Sequence, residues 1–197
     1  MKTLFNNARQ WHWISAAFCA LGMLFFSWTG ITLNHAADIS TTAKITTLEI
    51  KLPDDLLQHW RLTEKIMLNK RIRSYLLIQH QLFIPEYKVG EYSGGEFYLA
   101  MPEPGVDAWL SIDSESGELI YERSDRGWVS FFNDLHKGRY TNAAWQWFID
   151  IFAAGCIIFC LSGLLLLYKQ STFRLSTWPL VSFGVLLPLV IILTNLH

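Results

Sequence analysis

Phe131 to Tyr168 reads FFNDLHKGRYTNAAWQWFIDIFAAGCIIFCLSGLLLLY. Its first third is polar and carries His136, Lys137 and Arg139, whereas Ala143 to Tyr168 is apolar with one charged side chain, Asp150. A helix needs about 20 largely apolar residues to cross the hydrocarbon core of a bilayer. The stretch therefore predicts a transmembrane helix preceded by a segment that places an imidazole and positive charge at the membrane surface.

The rest of the chain divides around it by charge. Of the 197 residues, 51% are apolar and 17% charged, too greasy for an ordinary soluble domain and too charged for membrane alone. Every Asp and Glu except Asp150 falls between Asp38 and Asp134, so a water-soluble insert is flanked by apolar spans. A net charge of -1 with no basic stripe excludes nucleic acid as a partner. Cys19, Cys156 and Cys160 all lie inside apolar runs, as small buried hydrophobes do. No nucleophile and base constellation, phosphate loop or CxxC motif appears, which excludes the common hydrolase and nucleotide-enzyme classes.

Before the insert, Trp11-His12-Trp13 opens an apolar stretch that continues to Leu33. A cationic start and the pair Ala36-Ala37 also fit a cleaved signal peptide, but that core would be about 7 to 15 residues; the longer run predicts an uncleaved helix. Trp11, Trp13 and Trp28 fit interfacial aromatic belts. After the central span, Lys169 to Ser176 is a short loop and Trp178 to Leu196 a third span, with Pro188 inside it expected to kink the helix.

Inside the insert the periodicity drops to two. Residues 47–51, 81–84, 96–100, 108–112 and 118–122 read as strands, with turn residues at Ser93-Gly94-Gly95, Pro102-Glu103-Pro104-Gly105 and Asp113 to Gly117. Pro53 to Trp60 starts as a short helix. The expectation is a small α+β module with one helix on an antiparallel sheet. The division is 1–10 N-terminus, 11–35 first helix, 36–127 module, 128–142 amphipathic interfacial segment with His136, 143–168 second helix, 169–176 loop and 177–196 third helix. Lys2, Arg9, Lys169 and Arg174 flank the spans on one side, which the positive-inside rule puts in the cytoplasm. The module and the C-terminus then face outward, which in a bacterial inner membrane is the periplasm.

That topology brings His35, at the outer end of helix one, to the depth of His136, with His197 on the same side; His12 lies about 34 Å away along helix one. Two imidazoles at one depth on neighbouring helices suit a bis-histidine haem b, with Lys137 and Arg139 answering its propionates. Interfacial histidines also cap helices or bind headgroups, and both readings stand on spacing alone. A zinc or copper site from His35, Asp38 and His136 lacks a close ligand pair such as HxxxH. Asp150, about 10 Å below the surface, is expected as a hydrogen-bonded structural acid or, less directly, a proton relay. Thr29-Gly30 and Ser162-Gly163 are small pairs that permit close helix contact. His59 and His80 belong to the module as ordinary residues.

Trp11-His12, the run Thr29-Gly30-Ile31-Thr32-Leu33-Asn34-His35, Leu52-Pro53-Asp54-Asp55-Leu56-Leu57, Asp113 to Glu118, and Asn133-Asp134-Leu135-His136-Lys137-Gly138-Arg139 together resemble the short PepSY-associated transmembrane helix proteins of bacterial inner membranes. The resemblance implies a PepSY-like periplasmic domain between helices one and two. Through larger relatives similar to ferric-siderophore reductases, it also implies haem b held by His35, His136 and His12, and oxidoreductase activity with a siderophore or other periplasmic redox partner. Three helices without a second repeat depart from those relatives; a homodimer would supply the missing ligand for His12. The competing class is a non-enzymatic, membrane-tethered module that binds or regulates a periplasmic protein or peptidase.

Overall fold

A computed structural model describes residues 2–39, 42–61 and 67–195. In chain order the elements are α1 (Lys2–Asn34), β1 (Lys44–Lys51), α2 (Asp54–Arg61), α3 (Lys70–His80), β2 (Glu91–Ser93), β3 (Glu96–Ala100), β4 (Val106–Asp113), β5 (Glu118–Asp125), α4 (Gly127–Lys137), α5 (Ala143–Gln170) and α6 (Thr177–Asn195). They divide into two compact units, Met1–Phe26 with Gln146–His197, and Ser27–Trp145.

The first unit is helical. Asn6–Asn34, Ala143–Gln170 and Thr177–Asn195 are each long and apolar enough to cross a membrane. Helix α1 begins at Lys2, earlier than the apolar pattern alone marks, because nothing between Lys2 and Gln10 is a helix breaker. Along it Ala8, Ser15 and Cys19 are buried, and Gly22 and Phe26 continue the same three- and four-residue spacing. This seam meets α5 through glycines. A Cβ on Gly22 would lie 2.4 Å from Phe152 Cε2, one on Gly155 would lie 2.8 Å from Cys19 Sγ, and one on Gly163 would lie 3.1 Å from His12 Cε1. Partners on α5 fall in number as those on α1 rise, so the helices run antiparallel. Lipid offers no hydrophobic drive between helices, and close approach at small residues supplies the packing instead. Phe26 stacks on Phe152 with ring centroids 5.1 Å apart. Pro188 lies inside α6, and within that helix's described residues only Thr177 is buried.

The second unit is built on a five-stranded antiparallel sheet in the order β1-β5-β4-β3-β2. Strands β2 to β5 follow one another as a meander, and β1 returns to pair with β5, Lys44 opposite Asp125 and Lys51 opposite Glu118. Gly94 and Gly95, at φ 60° and 92°, form the two-residue hairpin between β2 and β3, where the right-handed strand twist demands positive φ. At the β4 to β5 turn the Asp113 carboxylate accepts from the backbone N–H of Glu115 and Ser116.

Because cross-strand partners share a face, the inward side chains form rows. One row is Ile50, Leu119, Ile112 and Phe97; the next is Leu48, Tyr121, Leu110 and Leu99. With Leu52, Leu57, Leu68, Ile72, Leu76 and Ile84 from the helical side they make the core. Two helices, α2 and α3, cover this face where one was expected. The expected strand 81–84 is absent: Gln81 takes the left-handed conformation at φ 55° and caps α3, and the Leu82 N–H returns to the Leu76 carbonyl at 3.0 Å. The apolar run Leu82-Phe83-Ile84 leaves a helix end, so its hydrophobicity reflects burial of Ile84. The edge strand beside β3 is β2, too short and polar to register by alternation.

Candidate functional site

The Asp-Leu-His-Lys-Gly-Arg run closes α4, and most of its members have an assigned contact. Asp134 is 4% exposed; one carboxylate oxygen accepts from the Gly105 N–H at 2.9 Å and from the Arg126 guanidinium at 2.9 Å. Gly105 has φ 72°, and a Cβ there would fall 2.7 Å from the Phe131 backbone nitrogen, so the β3 to β4 connection lies directly against α4. Gly138 ends the helix in the left-handed conformation, its N–H turned back to the last carbonyls. One face of α4 is thereby fixed to the sheet.

Its other contacts reach the end of α1. His136 Nδ1 and Thr29 Oγ1 are hydrogen-bonded at 2.7 Å, and the Thr32 hydroxyl donates to Asn133 Oδ1 at 2.8 Å. Thr29 is 1% exposed. Gly30 leaves room for the imidazole, whose Cε1 lies 3.7 Å from the position of a glycine Cβ. The Trp145 indole N–H donates to the Leu135 carbonyl at 3.0 Å.

The same device recurs in the helical unit. His12 Nδ1 donates to the Phe159 carbonyl at 3.1 Å and meets Ser162 Oγ at 3.2 Å, and the ring sits over Gly163 and stacks on Phe159 at 4.5 Å. The ring lines an apolar cleft of about 640 Å³ walled by Leu164 and Leu167. Each hydroxyl and glycine pair, Thr29-Gly30 and Ser162-Gly163, thus receives an imidazole. Sequence reasoning found the small pairs as packing sites and the histidines as ligands, and missed that they belong together; the signal was a hydroxyl residue directly before a glycine in an apolar helix.

His35 is exposed, and its Nδ1 donates to the Ile31 carbonyl at 3.0 Å. It follows Thr29 and Gly30 by six and five residues, which at about 3.6 residues per turn puts it on the other side of the helix from the face His136 packs against. Lys137 is exposed. Arg139 lies over the Tyr140 ring at 4.5 Å and donates to its hydroxyl at 2.7 Å, a hydrogen bond that pushes the guanidinium above its ordinary pKa. Asp150 is exposed on α5 and has no hydrogen bond or ion pair among the described residues; the α1 seam runs along the other side, through Phe152 and Gly155. Among the described residues no group of three or more His, Cys, Asp or Glu side chains is placed to hold a metal ion, so His35, Asp38 and His136 do not form the zinc or copper site considered above. His80, in the module as expected, packs against Tyr75. His197 lies outside the described residues.

A family model described as PepSY_TM-like matches residues 3–197 of the chain. No curated protein matches it, and no solved structure does.

Proposed function

The chain belongs to the PepSY_TM-like family, and from that premise we propose that it is a b-type haem electron-transfer protein of the bacterial inner membrane. In this reading the sheet module stands in the periplasm, and Lys2, Arg9, Lys169 and Arg174 lie on the cytoplasmic side, as the positive-inside rule requires. One observation carries the haem assignment: His12, His35 and His136 are each held through Nδ1 to an oxygen of a helix. That is how proteins orient an imidazole towards a metal at its second nitrogen. The donor set fits a b-type haem, which when bound supplies one-electron transfer at a potential set by its axial ligands and surroundings.

His136 and His35 are the proposed axial pair. Because they lie on different sides of α1, two copies of the chain complete the pair, His136 from one and His35 from the other. Lys137 and Arg139 answer the propionate charge, and His12 is a further ligand position. Gly30 and Thr29 set the position and tilt of the His136 ring, and Asp134 fixes the helix that carries it. The proposed acceptor is a periplasmic ferric chelate of the siderophore class.

The test is the visible spectrum of the protein expressed with ample haem. Low-spin Soret and α bands, lost in His35→Ala and in His136→Ala, are expected. A co-purified pair of the two variants retains one intact His136 and His35 set in every mixed dimer and should recover half the wild-type haem. A colourless wild type overturns the haem reading and leaves a tethered binding module; unchanged bands in either single variant overturn the ligand assignment.

A further inference from the structure

The inward face of the sheet unit changes character at one end. Two of its cross-strand rows are apolar and covered by α2 and α3, but the third consists of Thr46, Arg123, Ala108 and Met101. An arginine at an inward position, next to an alanine where the neighbouring rows carry Leu and Ile, opens the sheet instead of filling it. A cavity of about 580 Å³ stands over this row, in the size range of small-molecule sites. Its floor includes Ala108, Tyr121 and Arg123, and its walls carry the rings of Phe83, Tyr87 and Tyr140.

These rings are held out to solvent. Phe83 is 69% exposed and Tyr87 77%, so both rings are open to a ligand entering the cavity. Tyr140 has φ 58°, a left-handed conformation that is uncommon for an aromatic residue. The Arg139 guanidinium on its ring and hydroxyl keeps it there. On the floor, the one ion pair of Arg123 among the described residues is a loose one, 3.5 Å to Asp125. The Tyr121 phenol is raised above its ordinary pKa by burial, with Arg123 opposing and Glu103 adding to the shift, so it remains a hydrogen-bond donor at neutral pH. The charged groups lining the cavity are Lys88, Arg123 and Glu103, a net single positive charge.

We propose that this cavity binds a small planar monoanion, an aryl carboxylate, with the carboxylate on Arg123 and the ring between Tyr87, Phe83 and Tyr140. Planar guanidinium matches carboxylate geometry in a two-point contact, and aromatic walls favour a flat ring over an aliphatic chain. Glu103 repels a second negative charge, which disfavours phosphate. The site is distinct from the imidazoles and does not depend on haem.

The experiment is a binding titration of 1-naphthoate on the full chain in nanodiscs, with 1-naphthylmethanol as the neutral ring and inorganic phosphate as the anion without a ring. Saturable naphthoate binding is expected, weakened roughly tenfold or more by Arg123→Gln, which removes the charge-assisted contact. Ala108→Leu fills the floor and should abolish it, and a melting curve for each variant reports folding. Equal naphthoate binding by wild type and a folded Arg123→Gln overturns the proposal, because the probe has then only partitioned into the disc. Naphthylmethanol binding as well as naphthoate, or phosphate displacing it at equal concentration, overturns it too.

Discussion

Thr29 Oγ1 and His136 Nδ1 are joined at 2.7 Å, which ties the C-terminal end of α1 to α4 through a hydroxyl that is almost fully buried. Thr29→Val keeps the shape of the side chain and removes the hydroxyl. The expected loss is about 0.5–1.5 kcal/mol for the hydrogen bond. Chemical denaturation followed by tryptophan fluorescence measures it, and Thr29→Ser should restore most of it.

Asp134 holds two partners inside the protein, and Asp134→Ala leaves the Gly105 N–H and the Arg126 guanidinium without it. Breaking a fully buried pair costs about 3–5 kcal/mol. The Arg126 side chain is 29% exposed and also lies 3.3 Å from Asp107, so roughly 2–3 kcal/mol is expected here. Asp134→Asn, which keeps an acceptor for Gly105, should lose less. Urea unfolding of both variants orders them.

Gly22 faces the Phe152 ring, with no room for a methyl group. Gly22→Ala overpacks the α1 and α5 seam and should destabilise by about 1–3 kcal/mol. The double variant with Phe152→Leu should be more stable than Gly22→Ala alone. Thermal unfolding in one detergent compares all three; a more stable Gly22→Ala contradicts the seam.

Tyr121 gives a pH signature. Its folded pKa is raised by burial above the ordinary 10.0, so the unfolded chain releases this proton first as pH rises. The stability contribution is full below about pH 10. It is lost as pH rises through the folded value. Tyr121→Phe should therefore show a shallower decline in stability above pH 10 than wild type, read by melting temperature against pH.

Asp150 lies in an apolar helix with no partner in its own unit among the described residues. An acid at such a position is normally answered by another group within the membrane, and the proposed second copy provides the surface. Asp150→Leu should leave the single-chain helix content unchanged by circular dichroism. It should lower the dimer fraction by light scattering after size exclusion.

Much of this architecture was legible before any coordinates. Three spans stood out because uninterrupted apolar length is unambiguous, and β1, β3, β4 and β5 were visible where alternation and turn residues agreed. Strand β2 was not, since Glu91-Tyr92-Ser93 has no buried member to mark a face. The run 81–84 misled because apolar residues after a helix cap look like a strand. At the site, His12, His35 and His136 announced themselves as imidazoles at span ends, yet their partners did not: that Thr29 meets His136 and Ser162 meets His12 depends on which helix faces which. Arg123 was hidden for a similar reason, because only the register shows that it points to the side where Leu119 lies.

Helix α6 presents nearly its whole length to its surroundings, with little of the chain folded onto it. Such a rod is anchored mainly by its loop and by the Tyr168 and Trp178 ring contact. Conservative swaps among its Leu, Ile and Val positions should pass unnoticed by an isolated copy. A saturation scan along 180–193 would then act as a contact printer, each damaging position marking where a neighbouring molecule presses against it.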